Sequence, residues 1–230
     1  MTASTAASWS GAPSRRALRG AALVLAVMAC AGGTGLLIGL AARSVAGNRM
    51  APWIVGRAAG VTSYVLLVLL VLMGLLLSHP WRSRFASPSV ANRIRLHVVL
   101  AVFTLVFTAL HIVVLATDRY AGVGWPGALL PMRASYRPVA VTLGVIGTWS
   151  GLAAGVTGAL AGRLPFRLWW PIHKTAAACL LLVWVHGVLA GRDTPLLLWL
   201  YLATGGLVLL VAMSRYTARS PSDRVAELHP

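Results

Sequence analysis

Carboxylates are scarce in this chain. Only Asp118, Asp193, Asp223 and Glu227 oppose twenty Lys and Arg, leaving a net charge of +16 over 230 residues. None of the four lies inside a long apolar run, which weakens the case for a proton-coupled carrier, since such proteins use ionisable groups within the bilayer. Cysteine is sparser still. Cys30 and Cys179 both fall within apolar runs, so they build neither a disulfide framework nor a Cys-x-x-Cys metal site, and they read as small buried apolar side chains. There is no glycine-rich turn between a strand and a helix, which dinucleotide binding requires. The cationic excess has no basic stripe or base-stacking module on a soluble surface, so nucleic acid is not an expected partner. The basic residues sit mostly between apolar runs, where they orient loops and meet lipid headgroups.

What the chain has is apolar length. It is 58% hydrophobic and only 10% charged, with mean hydropathy +0.80, far from the composition of a soluble domain. Residues 1–17 are Ala/Ser-rich and read as a disordered cytoplasmic N-terminus. Six runs follow, each near the length needed to cross a bilayer: Ala21 to Ala42, Trp53 to Leu77, Ile94 to Ala116, Val139 to Leu160, Leu168 to Ala190, and Pro195 to Met213. The pair Arg15-Arg16 before the first run resembles a twin-arginine export signal. That run is too long for a signal h-region, and it is read as a membrane helix, with Ser44-Val45-Ala46 as the competing cleavage site. Gly147, Gly151 and Gly155 form a small-residue seam on the fourth run, where a neighbouring helix can approach closely. The expected organisation is a six-helix transmembrane domain over residues 18–214 and a cytoplasmic tail over 215–230.

Counting basic residues orients the bundle. Thirteen lie on the side shared by both termini: Arg15, Arg16, Arg19, Arg82, Arg84, Arg93, Arg95, Arg163, Arg167, Lys174, Arg215, Arg219 and Arg224. Seven lie on the other: Arg43, Arg49, Arg57, Arg119, Arg133, Arg137 and Arg192. The positive-inside rule then places both termini in the cytoplasm of a multi-pass protein of the plasma (inner) membrane. Helices three and five run parallel, from inside to outside.

Those two helices carry the candidate site. His97 and His111 lie 14 residues apart on the third run, and His173 and His186 lie 13 apart on the fifth. At 1.5 Å per residue each pair is separated by roughly 20 Å along the helix axis. One histidine of each pair therefore falls in each half of the bilayer, His97 with His173 and His111 with His186. A single intramembrane imidazole is explained as a satisfied core residue; four matched in depth are not. Zinc structural sites want four ligands close together. Haem iron takes axial imidazoles, and its flat apolar ring suits a helix bundle. The reading is an all-α integral membrane protein, a six-transmembrane-helix bundle enclosing two stacked haems b, with all four histidines as iron ligands. One detail resists it: on a regular helix 14 residues return to within about 40° of the same face, whereas 13 land about 140° away. Pro171 precedes His173 and cannot by itself correct the face between the two ligands.

The motifs Trp53-x-x-Gly56-Arg57-x-x-Gly60, His97 with His111, Tyr136-Arg137-Pro138, Trp170-x-x-His173 with His186, and Gly187-Val188-Leu189-Ala190-Gly191-Arg192-Asp193-Thr194 together resemble the ferric-reductase-like transmembrane family. That family includes the membrane halves of NADPH oxidases and ferric-chelate reductases, and the haem-binding subunit of a periplasmic methionine-sulfoxide reductase. The resemblance covers roughly residues 50–212. It implies haem b ligation by the four histidines, the unequal 14/13 spacing as a family feature, and transmembrane electron transfer. Unlike the oxidases, the sequence stops after helix six, with no flavin or nicotinamide site, so a separate dehydrogenase or reductase partner is expected.

Other residues carry smaller expectations. Haem propionates need cations: Arg57 and Arg137 are candidates for the outer haem, and Arg93, Arg95 and Lys174 for the inner one, the competing role being snorkelling to headgroups. Phe103, Phe107 and Trp184 fall between the ligand depths and are candidates for the gap between haems. The long connection Thr117 to Pro138, with Tyr120, Trp125 and Tyr136, is a candidate lid over the outer haem. The functional reading is a dihaem conduit from a cytoplasmic or membrane donor, a flavoprotein or a quinol, to an acceptor outside. The alternatives are a cytochrome b-type quinol-oxidising subunit, which here lacks a Pro-Glu-Trp segment and an intramembrane carboxylate, and a non-haem channel, transporter or structural protein.

Overall fold

The computed structural model describes residues 47–81 and 89–218. These form helices α1 (Ala51–Leu77), α2 (Val90–Thr117), α3 (Gly124–Leu129), α4 (Pro138–Ala159), α5 (Phe166–His173), α6 (Thr175–Ala190) and α7 (Thr194–Thr217), with one 3-10 turn at Arg119–Ala121. No strand occurs among the described residues. Five spans are long and apolar enough to cross a membrane, α5 and α6 counting together as one. The expected first span, Ala21 to Ala42, lies outside the described residues, as do residues 1–17, Cys30, the connection at 82–88 and the tail from 219. The described residues from Pro52 onward belong to one compact unit.

The helix ends follow from local chemistry. Ser89 caps α2 by accepting the Asn92 amide at 3.3 Å, an arrangement that satisfies one of the orphan donors of a first turn. Asp118 ends α2 and takes the Tyr120 amide at 3.0 Å, so the chain turns at once into the 3-10 segment. Pro138 and Pro195 sit in the first turns of α4 and α7, where a missing amide proton costs nothing. The last helix continues to Thr217, four residues beyond the Met213 expected from hydropathy.

The spans are apolar on all sides, and large side chains such as Leu196, Trp199, Leu209 and Leu210 point outward. That is the pattern of a helix in lipid. Polar groups inside the bundle are satisfied locally, as a solvent without hydrogen bonds demands. Thr104, Thr108, Thr148 and Thr204 return their hydroxyls to the carbonyl four residues back. Hydroxyl pairs also bridge helices, Ser63 Oγ with Thr108 Oγ1 at 2.6 Å and the Tyr64 hydroxyl with Thr204 Oγ1. The heaviest helix contact joins α4 to α6. There the glycine seam works in part. A Cβ on Gly147 would meet Val183 at 3.0 Å and one on Gly151 would meet Cys179 Sγ at 2.9 Å, while Gly155 has only Leu105 of α2 at 4.0 Å. Cys179 is buried and free.

Candidate functional site

The four histidines line one cavity of about 820 Å³ that extends from Trp53 near one end of the bundle to Tyr216 near the other. The bundle brings them together two by two. The rings of His97 and His173 have centroids 6.2 Å apart and planes at 61°; those of His111 and His186 are 6.4 Å apart at 79°. Helices α2 and α5–α6 therefore run parallel, and the 14-residue spacing sets the two pairs roughly 20 Å apart along the helix axis, one in each half of a layer about 30 Å thick.

Between the two ligands the fifth span departs from a regular α-helix. The fifth span is not one helix: α5 ends at His173 and α6 begins at Thr175, with Lys174 between them. The Ala177 amide bonds to the Lys174 carbonyl at 3.0 Å, three residues back, and Thr175 Oγ1 takes the Ile172 carbonyl at 2.7 Å and the Ser150 carbonyl at 3.1 Å. Pro171, inside α5, supplies no amide proton to that turn. His173 and His186 thus lie on either side of a tightened turn whose one joining residue, Lys174, keeps right-handed helical dihedrals.

A second regularity sets the orientation of each ring. Every histidine lies across a glycine on a neighbouring helix. A Cβ built on Gly60 would stand 2.7 Å from His111, on Gly144 2.8 Å from His186, on Gly158 3.1 Å from His173, and on Gly74 3.3 Å from His97. The carbonyl four residues before each glycine faces the imidazole Nδ1. His111 Nδ1 donates to the Gly56 carbonyl at 2.7 Å, His186 Nδ1 to Ala140 at 2.8 Å, and His173 Nδ1 to Ala154 at 3.0 Å. His97 faces the Leu70 carbonyl by the same rule, but its Nδ1 does not reach hydrogen-bond geometry. Each accepting carbonyl has a second lone pair free for its own helix. With Nδ1 as the donor, Nε2 keeps its lone pair and can bind a metal from the cavity side. The four glycines come in 14-residue pairs, Gly60 with Gly74 on α1 and Gly144 with Gly158 on α4, mirroring the histidines. Only Gly60 stood out from the sequence, within a motif; that repeat is the signal that finds the rest.

The remaining candidates divide. Arg57 lines the cavity and forms an ion pair with Asp193 at the start of α7. Arg137 turns away, donating its guanidinium to the Leu189 carbonyl at the end of α6 from a left-handed backbone at φ 39°. Lys174 lines the cavity beside His173, its ammonium over the Trp170 ring at 5.2 Å. Phe103 is 52% exposed on the outside of α2, and neither it, Phe107 nor Trp184 lines the cavity. Trp184 instead donates to the Tyr201 carbonyl at 3.0 Å. The aromatic side chains that reach the cavity at mid-depth are Tyr64 and Tyr201, whose rings lie 5.1 Å apart.

The connection after α2 folds over the His111/His186 end. Tyr120 and Tyr136 both pack edge-on to the buried Trp53, at 5.9 and 5.8 Å. The Tyr136 amide bonds to the Gly122 carbonyl, and its hydroxyl to Ala190 at the end of α6. Gly122 and Gly124 both take φ of 63°, which glycine alone adopts freely. Val123, Ala128 and Tyr136 from this segment contribute to the cavity wall.

Comparison with protein-family models, curated proteins and solved structures gives no match for this chain.

Proposed function

We propose that the chain is a transmembrane electron-transfer protein of the ferric-reductase-like kind, holding one b-type haem between His97 and His173 and a second between His111 and His186. The observation that carries this reading is the ring separation. An imidazole nitrogen binds a first-row metal at about 2.0–2.1 Å and lies about 1.1 Å from its ring centre, so two imidazoles on opposite sides of one ion have centroids about 6.3 Å apart. The two pairs stand at 6.2 and 6.4 Å. Two ligands per site suit a macrocycle that brings four donors of its own, and no cluster of three or more His, Cys, Asp or Glu occurs among the described residues. The Nδ1 bonds to Gly56, Ala140 and Ala154 are the outer contacts by which metal-binding histidines are commonly oriented. The cavity is near the top of the size range for a single small ligand.

Haem iron, when bound, supplies reversible one-electron chemistry. The protein's part is to hold position. Glycine contacts and carbonyl bonds fix the imidazoles, so little need rearrange when charge moves. Apolar walls exclude water, and the absence of carboxylates within the apolar runs separates electron transfer from proton transfer. In this reading His97 and His173 would hold the haem nearest a cytoplasmic flavoprotein or membrane quinol donor, and His111 and His186 the haem nearest an external acceptor, beneath the folded loop. The orientation is that of the charge count, with both termini in the cytoplasm of an inner-membrane protein.

Purified protein is expected to carry two low-spin haems per chain with a bis-imidazole spectrum. A haem-to-protein ratio near zero after haem-replete expression would sink the proposal. Orientation is tested separately by a cysteine at Ser135, an exposed loop position, in a background lacking Cys30 and Cys179. Labelling from outside intact cells is expected; labelling only after lysis reverses the direction of transfer.

A further inference from the structure

The cavity wall carries four permanent cations, Arg57, Lys174, Arg192 and Arg215, and one acid, Asp193. They are unevenly shared. Asp193 neutralises Arg57 at the His111/His186 end. At the other end Lys174 follows His173, and Arg215 reaches across from α7 to α1, donating its Nε to Ser78 Oγ at 3.3 Å. Neither Lys174 nor Arg215 has a carboxylate partner among the described residues. Arg215 is half-buried, its guanidinium over the Tyr216 ring at 5.3 Å, and Lys174 is exposed, so the two cations stand at the mouth of the cavity, where an anion could meet them from either side.

We propose that this end of the cavity is a binding site for an anionic group, a carboxylate or a phosphate, held by Arg215 and Lys174 with Ser78 beside them. The cations are pre-placed. His79, the residue after Ser78, is buried and bonds through Nε2 to Ser214 Oγ at 3.2 Å, which fastens the end of α1 to the turn that bears Arg215. The Nε bond to Ser78 orients the guanidinium and leaves its two terminal nitrogens for a bidentate contact. Lys174 lies over Trp170, whose ring stacks on His173 at 22°, so its ammonium is one ring away from the imidazole. Ser78 stands four residues beyond Gly74, about 6 Å along the helix from the glycine that seats His97. The anion therefore lies within one turn of that histidine. Both residues contribute to the cavity wall as well as to the surface of the bundle. The anion has two sources: the carboxylates of a haem between His97 and His173, in which case the inference rests on the functional reading above, or a phosphate on a separate molecule.

The test uses the full-length chain produced without haem, carrying His186→Ala so that only the His97/His173 end can take a macrocycle. Haem and its dimethyl ester, which lacks the carboxylate charges, are titrated against it by Soret absorbance. Haem is expected to bind about tenfold or more tightly than the ester, with the preference shrinking in Arg215→Gln and in Lys174→Gln and largely kept in Arg215→Lys. The second arm measures the unfolding temperature of the haem-free chain with and without inorganic phosphate. Stabilisation by phosphate that Arg215→Gln or Lys174→Gln removes supports the site, and its persistence after haem loading assigns it to a separate molecule. Equal affinity for haem and ester, together with no phosphate effect, overturns the anion site while leaving haem binding intact. If neither macrocycle gives a bis-imidazole spectrum, the functional reading fails, and the phosphate arm alone decides the anion site.

Discussion

The two ends of the cavity use the same parts to different tolerances. At the His111/His186 end both imidazoles are tied by Nδ1, at 2.7 and 2.8 Å, and both lie hard against a glycine, with 2.7 and 2.8 Å to a Cβ built there. At the His97/His173 end one Nδ1 is tied at 3.0 Å, the other is not, and the glycine gaps widen to 3.1 and 3.3 Å. The first end is covered by a folded loop and carries an internal ion pair; the second has cations with no acid paired to them among the described residues. A metal's outer contacts tune its ligands as well as aim them. Two chemically identical sites can thus be made unequal by backbone carbonyls and distant charges alone.

The largest effect comes from removing a ligand. His111→Ala or His186→Ala is expected to halve the haem content and spare the signal of the other end, and His97→Ala or His173→Ala to do the converse. Pyridine haemochrome assay with low-temperature spectra measures both. Equal loss of the two haems from folded protein would break the division into two sites.

Next come the glycines. Gly60→Ala and Gly144→Ala force a methyl into the ring of His111 or His186, and overpacking of this kind costs about 1–3 kcal/mol, or roughly 5- to 150-fold in affinity for the bound group. Gly158→Ala and Gly74→Ala, with more room, are expected to cost progressively less. Haem titration of each variant gives the ranking. If Gly74→Ala is the most damaging, the contrast between tight and loose ends is wrong.

Much of this arrangement was legible in the sequence, for reasons that differ by element. The five described spans and the depth-matching of four histidines follow from run length and from a 1.5 Å rise, both local quantities. The tightened turn at Lys174 was not legible: Pro171 marks trouble there, but the Thr175 hydroxyl donates to the Ser150 carbonyl of another helix, a contact 25 positions away in the chain. Gly60 and Gly74, and Gly144 and Gly158, repeat the histidine spacing, yet the small-residue seam drew attention to Gly147, Gly151 and Gly155 because four-residue spacing is the familiar packing signal. Arg57 and Arg137 were read as cations in want of an anion. One instead has Asp193 and the other a helix-end carbonyl, contacts made across 136 and 52 positions of chain. Phe103 and Trp184 have the right depth and the wrong face, which hydropathy in an all-round apolar helix does not distinguish.

A smaller effect is expected in the reduction potentials. A donated Nδ1 proton makes the imidazole a stronger ligand to oxidised iron, and the His111/His186 end has two such bonds against one. Cations near the other end favour the reduced state there. Both push the same way, so the His111/His186 haem is expected to have the lower potential, by an amount on the order of 60 mV, the one-electron equivalent of a tenfold change. Spectroelectrochemical titration of the two single-haem variants assigns each value.

The smallest effect tests whether charge contributes to that inequality at all. Asp193 and Arg57 are 38% and 29% exposed, so their pairing is worth under about 1 kcal/mol to stability, and Asp193→Asn should leave unfolding almost unchanged. Its electrostatic consequence is different. Asn keeps the size and can still accept from Arg57, but the covered end gains one uncompensated positive charge and comes to resemble the other end. Because both side chains reach solvent, a unit charge at about 10 Å acts through water-like screening and shifts a neighbouring charge by about 0.4 kcal/mol, on the order of 20 mV for one electron. The potential of the His111/His186 haem should rise by that amount, while the haem roughly 20 Å away along the helices moves less. A narrowed gap with unaltered stability ties the inequality to charge. An unmoved gap would leave it to the carbonyl bonds at Gly56 and Ala140 alone.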